Sequence, residues 1–232
     1  MRTVILATLV AAGTLVALPV ALPGGAAADT ACTGMGGTVD SAQLCHVHVS
    51  NATYTLDITF PVDYPDQQAL GDYLTQNRDG FISVAQTSGP REMPYQMEVT
   101  SEQYRSGQPP PGTRSVVLKV FEDLGGPRPS TFYKGFNYDL GRRQPITFDS
   151  LFAANSKPLD AIYPIVQREV GRKTGLGAAI PPSAGLDSSH YQNFCITDDD
   201  VIFYFAPGEL LPPLAGPTQA QVPRNAIPPL TV

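Results

Sequence analysis

Proton and acyl transfer near neutral pH draw first on histidine, and the 232 residues hold only three: His46, His48 and His190. His190 closes the run Asp187-Ser188-Ser189-His190, the densest grouping of carboxylate, hydroxyl and imidazole in the chain. Side chains adjacent in sequence point in different directions, so this run alone does not set the three groups in series. Its place between a helix and a strand reads as an exposed loop. His46 and His48, two apart, share one face of a strand. Same-face imidazoles can share an ion, but completing carboxylates are not evident nearby, and we expect no metal and no cofactor. Glu209, in "PGELLPPLAGP" after Phe203 and Phe205, is expected to hold its carboxylate against apolar surface. That would raise its pKa toward an acid–base role; a turn-capping role is the plainer alternative. Asp198, Asp199 and Asp200 lack the loop length and closing glutamate of a calcium loop and read as turn makers. A serine nucleophile on an α/β-hydrolase scaffold requires G-x-S-x-G, which is absent. Acyl transfer here would need another arrangement, recognisable by geometry alone.

The elements that must position these groups follow from periodicity. "NATYTLDITFP" alternates Tyr54, Leu56, Ile58 and Phe60 against polar residues, the pattern of a strand with one wet face. Leu70, Tyr73, Leu74, Phe81, Val84 and Ala85 then recur at helical spacing. "YQMEVTSEQY", "TRSVVLKVFEDL" and "STFYKGFNYDL" return to period two as three successive strands, and "SGQPPPG" and "GGPRP" are the loops between them. A second helix lies in "PLDAIYPIVQREVGRKTG", with Leu159, Ile162, Val166 and Val170 on one face and Gly175 as its stop. Pro164 must stand in its first turn or kink it. A hairpin through Asp198–Asp200 and a short strand in "TQAQVPRNAIPPL" end the chain. The order predicts an α+β fold: one curved, mostly antiparallel sheet with two main helices, the C-terminal ribbon inside.

Met1-Arg2, an apolar run to Leu22 and the small-residue exit "GGAAADT" read as a signal peptide, residues 1–28, cleaved near Ala28. Residues 29–232 are then a single secreted domain, with an N-terminal part to about 150 and a C-terminal part over 151–232. Fifteen Lys and Arg against 21 Asp and Glu give a net charge of −6 without a basic cluster. Nucleic acid and anionic membrane surfaces are therefore excluded as partners. In an exported chain Cys32 and Cys45, flanking a short Gly-rich loop, are expected to be disulfide-bonded, leaving Cys195 as a small buried thiol.

Long stretches of the chain resemble the mycobacterial secreted immunogenic antigens of the MPT/MPB type: "FPVDYPDQQAL", "TSEQYRSGQPPPGTRSVVLKV", "STFYKGFNYDL", "PITFDSLF", "IYPIVQRE", and "GLDSSHYQNFCITDDDVIFYFAPGELLPPLAGPTQAQVPRNAI". The C-terminal half is similar to the RsiV-type lysozyme-binding domain, through its "FCITDDDVIFYFAP" hairpin followed by "AG" and "VP". The resemblance implies export, antigenicity and a β-grasp-like α+β fold. It leaves two functions open. The first is an interaction protein, a monomer binding an extracellular or cell-envelope partner, host proteins included. The alternative is a carboxylesterase acting on small esters through a non-standard site, since some members are described so.

Overall fold

The structure, a computed structural model, describes residues 31–87, 93–107, 110–176 and 180–232. The signal-peptide reading of residues 1–28 lies outside them. No helix among the described residues is long and apolar enough to cross a membrane.

Seven strands form one sheet in chain order: β1 (Thr38–Val39), β2 (Leu44–Ser50), β3 (Tyr54–Pro61), β4 (Tyr95–Ser106), β5 (Thr113–Asp123), β6 (Ser130–Asp139) and β7 (Gln144–Pro145). All neighbours are antiparallel except β3 and β4, which run parallel because helix α1 (Gln67–Thr87) carries the chain back between them. Strand alternation gives this sheet two unlike faces. The front presents Leu56, Ile58, Phe60, Met97, Val99, Val116, Leu118 and Val120, and Leu70, Leu74, Phe81 and Ala85 of α1 pack on it. Val84, expected on that buried stripe, is instead 42% exposed.

The C-terminal ribbon corrects the single-sheet expectation. Strands β8 (Phe194–Ile196), β9 (Asp200–Phe205) and β10 (Thr218–Pro223) make a separate antiparallel sheet in the order β10-β9-β8. It lies on the back of the large sheet at β4–β6. Helix α2 (Pro158–Thr174) covers its other side. "VIFYF" is therefore apolar without a break for a reason: Val201, Phe203 and Phe205 join the α2 side, while Ile202 and Tyr204 face the large sheet with Val117 and Cys195. Gly175 ends α2 in the left-handed conformation, φ 73°. Pro164 stands inside the helix rather than in its first turn.

The contact between the sheets explains the buried polar residues. β8 is an edge strand whose outward backbone groups need partners. Asn137 Nδ2 donates to the Phe194 carbonyl at 2.9 Å, and Ser115 Oγ accepts from the Ile196 amide at 3.2 Å. Ser115 in turn donates to Asn137 Oδ1 at 2.6 Å, across the Ser115–Asn137 register of β5 and β6. Gly135 allows this approach: a Cβ there would sit 2.8 Å from the Phe194 carbonyl oxygen and 2.9 Å from its nitrogen.

Candidate functional site

The run Asp187 to His190 forms a 3₁₀ turn, Ser188–Tyr191, capped by Asp187, whose Oδ1 accepts from the Ser189 amide at 2.9 Å. That bond holds the Asp187 carboxyl below its ordinary range. Asp187 is thus spent on its own turn, and Ser189 is exposed. His190 turns the other way and meets Glu209: Nδ1 lies 3.9 Å from Oε1. Burial raises the Glu209 carboxyl, as its apolar flanks suggested, while Oε2 accepts from the Ala206 amide at 2.7 Å and caps the turn after β9. The raised carboxyl and the turn-capping bond are therefore present together at Glu209. Ser188 faces a cavity of about 340 Å³ beside the one-turn helix Phe148–Leu151, with Phe148, Phe152, Leu159 and Lys157 among its walls. No hydroxyl or thiol among the described residues is hydrogen-bonded to the His190 ring, so the C-terminal cluster sets an imidazole near a carboxylate without a nucleophile in line.

The N-terminal histidines lie on the back face of β2, beyond the area that the small sheet covers. His48 Nδ1 is 2.6 Å from Asp57 Oδ1, its cross-strand partner on β3. His46 faces Thr59 in the same register and makes two contacts. Nε2 is 3.0 Å from Asp40 Oδ2, and Nδ1 is 3.3 Å from Thr59 Oγ1. Asp40 sits in the turn joining β1 to β2, where its Oδ1 accepts from the Ala42 and Leu44 amides at 2.8 and 2.9 Å. The bond to His46, then those to the backbone, draws the Asp40 carboxyl below its ordinary range. An ionised carboxylate only accepts, so Nε2 carries a proton, and in the neutral ring this leaves the Nδ1 lone pair turned to the Thr59 hydroxyl. Hydroxyl, imidazole and carboxylate thus stand in series. The carboxylates missing from the sequence neighbourhood of His46 and His48 are here, brought in by the turn and by register. They act as hydrogen-bond partners: among the described residues no group of three or more His, Cys, Asp or Glu is placed to hold a metal ion.

Cys32 and Cys45 are joined, and Cys45 occupies the front face beside His46. Cys195 is fully buried between the sheets, 3.7 Å from the Tyr204 hydroxyl, and burial pushes its thiol up to about 12. A thiol so placed is inert as a nucleophile. Tyr204 Oη donates to Tyr104 Oη at 2.8 Å, and Tyr104 donates to Glu102, so the polar tips of this interface reach the surface in a chain.

The chain is 64% identical over 224 residues to Esterase Rv3036c of Mycobacterium tuberculosis (strain ATCC 25618 / H37Rv), a match covering 97% of this chain and 99% of that one. It is also 50% identical over 202 residues to Immunogenic protein MPB64 of Mycobacterium bovis and to Immunogenic protein MPT64 of Mycobacterium tuberculosis, covering 87% of this chain and 88% of each. The chain belongs to this mycobacterial family. Within the family's C-terminal half, residues 149–225 match a domain described as a protein of unknown function, DUF3298. A DUF3298 family protein of Pseudomonas aeruginosa PAO1 shares the fold, with a TM-score of 0.51 at 11% identity over 84% of this chain and 96% of that one. The esterase match, at 97% of this chain, takes in both the small sheet and the β1–β3 region.

Proposed function

We propose that the chain is an exported protein of the immunogenic family whose chemistry is the hydrolysis of short-chain carboxylic esters. The observation that carries this reading is the 64% identity, along almost the full length of both chains, to a protein named an esterase. The geometry supports it, because acyl transfer by a side-chain nucleophile needs a hydroxyl or thiol, a base and an orienting carboxylate in reach of one another. The scaffold carries one such series without the nucleophile elbow of α/β-hydrolases. Export is supported by the Cys32–Cys45 disulfide, a bond that persists in oxidising compartments. The experiment is direct: the purified chain is mixed with 4-nitrophenyl acetate and butyrate. Saturable release of nitrophenolate above a heat-denatured control supports the reading, and equal rates sink it.

A second reading, binding of an extracellular or cell-envelope protein, is favoured by the uncovered back of β1–β3. There His46, His48 and Asp57 stand exposed on a flat strand face, and β1 pairs with only Cys45 and His46 of β2. Among the described residues nothing else pairs with that edge of β2, which suits an added strand.

A further inference from the structure

Of the histidines in the chain, His46 alone among the described residues is bonded to both a carboxylate and a hydroxyl. Its partners are 6 and 13 positions away, so the contact is made by the fold and not by chance proximity in sequence. We propose that Thr59, His46 and Asp40 are the catalytic centre of ester hydrolysis, with Thr59 as nucleophile, His46 as general base and then acid, and Asp40 as the positioning residue. This rests on the ester-hydrolase reading and gives it a site.

Three features fix the series. Thr59 and His46 are directly opposed in an antiparallel ladder, which sets their side chains on one face at contact distance. Asp40 is itself held by two amides, leaving Oδ2 to orient the ring. Cys45, next to His46, is tied to Cys32, and Val47, on its other side, is buried in the core under α1. The imidazole is therefore mounted on a rigid strand while its reactive edge stays open, 47% exposed.

In the first step the Thr59 oxygen bonds to the ester carbonyl carbon as its proton passes to His46 Nδ1. The carbon–oxygen bond to the alcohol then breaks, and the alcohol leaves with that proton. Water attacks the acyl-threonine in the same manner, giving its proton to Nδ1. The Thr59–acyl bond breaks, Thr59 regains the proton, and the carboxylic acid departs. The substrate class follows from the surroundings. The site lies on an exposed strand face, which favours small esters with good leaving groups. On the same face, beginning at Thr100 one strand over, a cleft of about 120 Å³ lined by Glu98, Thr100, Lys119, Phe121 and Thr131 has room for a short acyl group and not for a lipid chain.

The test is kcat/KM for 4-nitrophenyl acetate and butyrate in Thr59→Val, Thr59→Ser, His46→Gln, Asp40→Asn and His190→Ala, each checked for an unchanged melting temperature. Thr59→Val and His46→Gln are expected to lose on the order of 100-fold or more, and Thr59→Ser to keep its activity. Asp40→Asn keeps the turn but offers the ring an N–H, which selects the wrong tautomer; kcat should fall with KM little changed. Full activity in Thr59→Val, or loss confined to His190→Ala, overturns the assignment while leaving the ester-hydrolase reading intact. Should the wild-type chain release no nitrophenolate, that reading fails, and a fluorophosphonate probe tests the site alone. Labelling of Thr59 that disappears in His46→Gln sustains the series, and no labelling of Thr59 overturns it.

Discussion

The back of the seven-stranded sheet is two surfaces built from the same alternation. Over the part of β4–β6 that meets β8 it is covered, and its residues pack closely: Ser115, Val117, Gly135 and Asn137 accept an edge strand at close range. Over β1–β3 it is bare, and the same alternate positions hold His46, His48, Asp57 and Thr59, bonded to one another across the ladder. Where a second layer covers the sheet, Ser115 and Asn137 are spent on holding β8. Where none does, they keep a reactive side toward water. Chemistry in this fold is therefore expected where the small sheet ends.

The comparison breaks most visibly at Gly135. Gly135→Val forces a branched side chain into the Phe194 backbone, and urea denaturation should show a loss of about 3 kcal/mol or a chain that does not fold. Asn137→Ala leaves the Phe194 carbonyl without its partner and is expected to cost about 1–3 kcal/mol by the same measurement. His48→Ala, on the bare half, should change stability by no more than about 0.5 kcal/mol, because its partner Asp57 returns to water. A cost there equal to that of Asn137→Ala would erase the distinction between the halves.

Two smaller effects sharpen it. Cys195 should resist a thiol reagent at pH 8 in the native chain and give one reactive thiol per chain in denaturant without reductant, with two more appearing only after reduction of Cys32–Cys45. Glu209 supplies a pH signature. Its folded-state pKa is raised, so its contribution to stability is present below the ordinary carboxylate range and is lost as pH rises through the folded value. Melting curves of Glu209→Gln and the wild type should therefore nearly coincide at pH 4, and the variant should gain on the wild type by pH 7.

The strands, both long helices and the buried hairpin could be read from the sequence because period two and period 3.6 report which face of an element is apolar. Periodicity does not report which surface lies opposite. "VIFYF" is apolar at every position, yet nothing in it distinguishes the inside of one sheet from the seam between a sheet and a helix layer, so the pattern alone does not reveal the second sheet. The same gap hid half of the candidate site. His46 and His48 were visible as rare residues on one strand face. Thr59 and Asp40 have common side chains, and only the β2–β3 register and the turn after Val39 bring them to the ring. The alternation of "YTLDITF" did place Thr59 on the wet face, which was the one available signal. In contrast, the conspicuous run Asp187–His190 proved to be a capped turn, because adjacent residues bond most readily to their own backbone.

The most direct measurement of the central claim is the identity of the acylated residue. The chain is mixed with 4-nitrophenyl trimethylacetate, whose hindered acyl group leaves slowly, quenched in acid and mapped by peptide mass spectrometry. The account predicts the acyl group on Thr59 and its absence in His46→Gln. Acylation of Ser188 or Ser189 instead, or steady turnover with Thr59 unmodified, would contradict it.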